Sequence, residues 1–197
     1  MALGRTDFDP ITTRNVGAIA SASQSYVTAE EGGNAYDHHT ILNFAALPVV
    51  TGNTTGASFG SKQVYTFPAG RILIKGVTAY FSTITFNTAA GADGDIAGAG
   101  SGDYSMGSTA TADATLATTD VDLLPSTAML DPFVVGVGRS NVGSALAASA
   151  QFDGTSTALS AYLNVIIDDA DVSDAAASDN VYFTGAVRVS WTWLGDY

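Results

Sequence analysis

From Val181 to Trp193 the chain alternates strictly. The odd positions hold Val181, Phe183, Gly185, Val187, Val189, Trp191 and Trp193; the even positions hold Tyr182, Thr184, Ala186, Arg188, Ser190 and Thr192. Side chains of a strand point to opposite faces in turn, so this period predicts a long strand with one buried face. Leu159–Ile167 repeats the pattern, with Leu159, Ala161, Leu163, Val165 and Ile167 in phase. The predicted core is therefore Val181, Phe183, Val187, Val189, Trp191, Trp193, Leu163 and Val165. A third run, Arg71–Phe86, follows Lys62–Phe67 and a turn at Pro68-Ala69-Gly70. Ile72 and Ile74 share one phase and Val77, Ala79 and Phe81 the other. One extra residue at Gly76 reconciles them, which predicts a β-bulge there.

Weaker strands are expected at Thr40–Ala46, Tyr104–Thr109 and Phe133–Val137. Loops rich in Gly, Ala, Asp, Ser and Thr are expected at Thr51–Ser61, Thr88–Gly102, Ala110–Asp131, Gly138–Thr157 and Asp168–Asn180. Ser144–Ala150 and Ser173–Ala177 have the composition for a turn of helix. No fixed-period repeat is present, which excludes solenoids and propellers. The reading is all-β: an antiparallel two-sheet sandwich over 36–197, with a jelly roll preferred over other Greek-key sandwiches. Residues 1–35 lack a sustained period and read as an extended N-terminal arm, held in place by a neighbouring molecule.

Charge and composition narrow the function. The 19 acids against 7 Lys plus Arg give a net charge of −12, and only Glu30 and Glu31 are Glu. Asp favours turns, which suits a loop-rich β protein. An acidic surface repels phosphate backbones and excludes direct nucleic-acid binding. No apolar run approaches the about 20 residues of a membrane span, and Met1–Pro10 does not read as a secretory leader. The chain has no Cys, hence no disulfide, thiolate metal site or thiol nucleophile.

Candidate chemistry is sparse. His38 and His39 are adjacent, so in a strand they point to opposite faces and do not serve one site. No Ser sits in a G-x-S-x-G elbow. The stretch from Gly136 to Gly143 lacks the Lys-Ser/Thr ending of a phosphate loop. The acids Asp168, Asp169, Asp171 and Asp174 are candidate ligands for a hard cation, with Asp93 and Asp95 as a smaller pair. An EF-hand's sixth-position Gly and twelfth-position Glu are missing, so a solvated acidic loop is preferred and no metal is assigned. Trp191 and Trp193 share the core phase, which leaves Tyr182 as the outward ring and no aromatic platform for sugars. Neither a cofactor nor a small-molecule substrate is expected, and the chain reads as non-enzymatic.

Tyr65–Val77 (YTFPAGRILIKGV), Asn164–Val172 (NVIIDDADV) and Val187–Asp196 (VRVSWTWLGD) resemble segments of head decoration, or cement, proteins of tailed bacteriophages, in particular those infecting marine bacteria and cyanobacteria. The resemblance covers about residues 60–197 in pattern and carries no catalytic residues. It implies a structural virion protein, made in the host cytoplasm and bound to the outer capsid surface. The implied partners are the major capsid protein and further copies of the chain, as a homotrimer. The arm residues Leu3, Arg5, Phe8, Ile11 and Arg14 are the expected capsid contacts. The alternatives are a tail-fibre or receptor-binding module and a secreted carbohydrate-binding sandwich.

Overall fold

The alternating C-terminal run is realised as one strand of 17 residues, Asp179–Gly195. The computed structural model describes residues 16–34, 37–54, 57–87, 101–129, 139–143, 151–168 and 179–195. In chain order the strands are β1 (Ala18–Ile19), β2 (Val27–Gly33), β3 (Asp37–Thr54), β4 (Ala57–Thr66), β5 (Gly70–Asn87), β6 (Ser101–Gly107), β7 (Leu124–Met129), β8 (Arg139–Gly143), β9 (Gln151–Gly154), β10 (Ser160–Asp168) and β11 (Asp179–Gly195). Helical structure among the described residues is confined to 3-10 turns at Ser21–Ser23 and Thr118–Asp120.

Every pairing is antiparallel. One sheet runs β2-β3-β11-β5, with β8 and β9 placed one after the other along the free side of β5. The other runs β4-β10-β6-β7, with β1 on the far side of β4. Counting β8 and β9 as one interrupted strand, and leaving out β1 and β2, the first sheet reads 1-8-3-6 along the chain and the second 2-7-4-5. That order is the double Greek key of a jelly roll. The expected topology is the observed one.

The two sheets meet through aromatic rings. Phe67, just past β4, sits edge-on to Trp191 of β11 at 5.4 Å. Tyr104 of β6 contacts Phe81 of β5 at 5.2 Å and Phe183 of β11 at 6.1 Å. The predicted core residues Val181, Phe183, Val187, Val189, Trp191, Leu163 and Val165 are all buried. Each such side chain contributes about 1.5–3 kcal/mol of burial energy. Trp193 departs from the reading: it lies only partly buried at the core's margin, and its Nε1 donates to the Ala69 carbonyl at 3.1 Å. The sandwich ends at that level, so the ring covers the β4–β5 turn.

The expected bulge is present. Ser190 faces Gly76 and Trp191 faces Ile74, which leaves Lys75 as the extra residue. A second discontinuity, unforeseen, crosses the sheet at Gly185. On β5, Thr184 faces Thr83 and Gly185 faces Phe81, so Ser82 is extra. On β3, Phe183 faces Leu47 and Gly185 faces Phe44, so Ala45 and Ala46 together span one position. The buried phase of β3 accordingly switches from Leu42 and Phe44 to Leu47 and Val49. Ala46 adopts φ 50°, and its N–H donates to Thr184 Oγ1 at 3.1 Å. Both neighbours of β11 thus bulge at one level, which bends them together.

Several expected loops are strand. Thr51–Ser61 is the end of β3 and the start of β4; β7 lies within Ala110–Asp131; β8 and β9 lie within Gly138–Thr157. LPSTAM and QFDG are short and do not alternate, so periodicity could not show them. The arm is also shorter than read. Its residues 16–34 belong to the chain's own sandwich, with β1 on β4 and β2 on β3. Phe133–Val137, Ser144–Ala150, Ser173–Ala177 and residues 1–15 lie outside the described residues.

Gly185 has φ 151°, and a Cβ there would stand 2.2 Å from the Tyr80 carbonyl oxygen and 2.6 Å from Phe81 Cα. A Cβ on Gly76 meets nothing within 4 Å. Gly185→Ala should therefore cost more than about 3 kcal/mol, at the severe end of single substitutions. Gly76→Ala should stay within about 0.5 kcal/mol of the parent. Urea midpoints of the two variants test the contrast.

Candidate functional site

Sequence and strand register place the two histidines as expected. His38 is buried, its ring stacked on Trp191 at a centroid distance of 4.1 Å and 11° between planes. His39 is half-buried on the opposite face, over Gly32. Arg139–Gly143, the end of the glycine-rich stretch, is an edge strand on Val77–Phe81; its first residues lie outside the described ones. Asp169, Asp171 and Asp174 also lie outside them, as do Leu3, Arg5, Phe8, Ile11 and Arg14, while Asp168 is described only as the last residue of β10. Among the described residues no three His, Asp or Glu side chains are grouped to hold a metal ion.

The first constellation is a polar network at the seam between the sheets. The Tyr65 hydroxyl donates to Glu31 Oε1 and accepts from the Gly17 N–H at 2.9 Å. Glu31 Oε2 accepts from Thr40 Oγ1 at 2.8 Å, and Thr40 Oγ1 accepts from Trp191 Nε1 at 2.9 Å. Ser23 Oγ adds a bond to the Gln63 carbonyl at 2.6 Å. Burial, helped by the Glu31 carboxylate, pushes the Tyr65 phenol far above its ordinary pKa, so it stays a protonated donor. β2, β3, β4 and β11 each supply a member, and Gly17 and Ser23 join from either side of β1. Every named donor has its acceptor, and the network acts as a clamp that fastens residues 17–31 over the open side of the sandwich.

A second polar centre holds the long β6–β7 connection. Asn164 is fully buried although its strand phase points away from the core. Its Nδ2 donates to the carbonyls of Thr109 and Asp120, each at 3.0 Å. Its Oδ1 accepts from Ser61 Oγ at 2.6 Å and from the Thr111 N–H at 3.2 Å. The segment 108–123 thereby covers the outer face of the β10 sheet. Asp122, in this segment, accepts from Ser108 N–H at 2.7 Å and Ser108 Oγ at 2.6 Å, and burial pushes its carboxyl above the ordinary range.

The third feature is the outer face of the β11 sheet. Cross-strand rows run Pro48–Tyr182–Thr85, Asn43–Ala186–Tyr80 and Glu30–Ile41–Arg188–Thr78. Val50 and Tyr80 are 50% and 54% exposed, unusual for large apolar side chains, whereas Tyr182 is half-buried. Its ionic groups among the described residues include Glu30 and Arg188 of the last row, and Asp37 and Lys75, which bond at 2.8 Å. The opposite sheet and its covering segment carry Asp103, Asp113, Asp120 and Asp122 against Lys62. Among the described residues the acids on the β11 sheet are accompanied by Arg71, Lys75 and Arg188, so the net negative charge lies on the side of the second sheet. Glu31, Tyr65, Thr40, Asn164 and Tyr80 were not singled out from sequence; the one available signal was that the chain's only two Glu residues are adjacent and precede a β run.

Two substitutions probe these centres. Tyr65→Phe removes one donor and one acceptor from the seam and should cost about 1–3 kcal/mol, read as a lower urea midpoint at unchanged slope. Asp122→Asn keeps an acceptor for the Ser108 N–H and removes a half-buried charge. Because the folded state raises this carboxyl's pKa, its ionisation destabilises the fold as pH rises through the carboxylate range. The Asn variant should melt higher than the parent at pH 7, and the difference should close below about pH 4.

No family model matches this sequence, and neither a curated protein nor a solved structure matches it.

Proposed function

We propose that this chain is a structural protein of a tailed-phage virion that binds the outer capsid surface and cements neighbouring capsomers of the major capsid protein, without catalysis. The observation that carries the reading is the outer face of the β11 sheet. It mixes Thr, Ser and Ala with Ile41, Asn43, Pro48 and Tyr182, its charges are few and of both signs, and Val50 and Tyr80 stand exposed on it. At about 3.4 Å per residue and about 4.8 Å per strand, β3, β11 and β5 between the levels of Asn180 and Thr192, with the shorter β2 beside them, offer roughly 750 Å². Stable interfaces bury about that area on each partner. Exposed apolar groups on a face with few charges mark an interaction surface.

The jelly roll supplies rigidity and the face supplies adhesion. Contacts made only in the assembled shell favour assembly over dissociation, and many equivalent copies, as trimers, raise the effective concentration of each contact. Residues 1–15, with Leu3, Arg5, Phe8, Ile11 and Arg14, are assigned as a second contact. The described hydrogen bonds of the seam are made by Gly17 and later residues.

Sedimentation with mature capsid shells tests the proposal. The chain should pellet with shells and raise their melting temperature. Val50→Asp with Tyr80→Glu should weaken binding at least about 10-fold, as expected when more than about 1.4 kcal/mol of contact energy is lost. Deleting residues 1–15 should weaken it further. A protein that stays in the supernatant, or a face variant that pellets like the parent, overturns the reading.

A further inference from the structure

We infer that Arg188 is the anchor of the β11 outer face and takes a carboxylate, Asp or Glu, that the partner protein presents to it. This rests on the cement reading and names the chemistry of the surface that the face fits. Arg188 stands exposed on the central strand of its sheet, between Ile41 of β3 and Thr78 of β5. Along β11 its neighbours on the same face are Ala186 and Ser190, and Ser190 in turn faces Gly76. These short side chains leave the guanidinium open to approach from outside. Tyr80, 54% exposed, faces Ala186 from β5 and is therefore the diagonal neighbour of Arg188, at a separation long side chains can span. Arginine and tyrosine are the side chains enriched where binding energy concentrates near the middle of an interface.

The other ionic groups of this sheet are already engaged. Lys75 Nζ donates to Asp37 Oδ1 at 2.8 Å, as does Thr192 Oγ1 at 2.8 Å. Glu30 Oε1 accepts from Asn43 Nδ2 at 3.0 Å, and Arg71 Nε has Asp153 Oδ2 at 4.0 Å. Glu30 shares a row with Arg188 but lies two strands away, about 10 Å. Among the described residues the ion pairs are those of Lys75 and Arg71, and Arg188 has none. An apolar surface docked here strips water from this cation and leaves it uncompensated, which is costly. A facing carboxylate removes that penalty, because it accepts two parallel N–H bonds from the guanidinium. A second copy of the chain is the poorer occupant: the acids its own face offers, Glu30 and Asp37, already hold partners.

Sedimentation of the full-length chain with mature capsid shells tests this. Arg188→Glu should weaken binding at least about 100-fold, as for reversal of a desolvated charge pair. Arg188→Lys should weaken it about tenfold, since the charge remains but the paired geometry is lost. Lys62→Glu makes the same change in net charge on the opposite sheet and should bind like the parent. The parent's affinity should fall with rising salt, and that dependence should flatten in Arg188→Ala. Carbodiimide coupling of Arg188→Lys on shells, read by mass spectrometry, should join the introduced amine to an Asp or Glu of the shell protein. Shells that bind the parent and Arg188→Glu equally well overturn the inference and leave the cement reading standing; a parent that stays in the supernatant overturns both. Coupling to a peptide from a second copy of this chain assigns the face to self-association and also overturns the inference.

Discussion

The structure depends on burying one face of a single strand, β11, between β3 and β5. Val181, Phe183, Val187, Val189 and Trp191 lie on that face, and rings from the other sheet close over it. A strand this long cannot remain flat against a second sheet, because twist accumulates along it. The seam at Gly185 relieves that conflict. Both neighbours insert a residue there while β11 keeps its own alternation, and the absent Cβ lets the β5 backbone approach. One glycine in the most regular strand thus allows all three long strands to follow the curvature of the sandwich.

The N-terminal segment solves a different problem. A sandwich has open sides where sheet edges would expose unpaired backbone groups. Residues 18–33 cover both edges on one side, β1 along β4 and β2 along β3. Short strands have little pairing energy of their own, so the cover is fastened by side chains. Tyr65, Glu31 and Thr40 connect it to Trp191 in the core. Closure of the edge and packing of the central strand are consequently coupled, since Trp191 Nε1 has its acceptor only when Thr40 is in place.

What could be read from the sequence was whatever period two could express. β11, β10, the first half of β5 and the Gly76 bulge follow from the alternation of large apolar residues. The jelly-roll order was legible only as a preference, since pairing between distant strands leaves no local mark. β1, β2, β7, β8 and β9 have two to seven residues each and are strands because a longer neighbour pairs with them. Asn164 shows a further limit. Its position reads as solvent-facing, yet the segment 108–123 covers it and makes it a four-bond hub. The seam network joins residues up to 151 positions apart, and the charge partition likewise arises from topology.

That partition determines how such a chain can adhere to anything while carrying a net charge of −12. Docking strips water from the contact face, and each charge buried without a partner costs several kcal/mol. A face whose few charges include a pair already bonded to each other, Asp37 with Lys75, loses little on desolvation. The acids of the 108–123 segment lie beyond the second sheet. Packed sheets are about 10 Å apart, more than the about 8 Å over which physiological salt screens a charge. Repulsion from these acids is therefore largely screened at the contact face, while it still keeps the opposite side wetted and discourages copies from stacking through it. The same sandwich can then hold one face against a surface and keep the other in solvent, with orientation set by charge placement and no moving part.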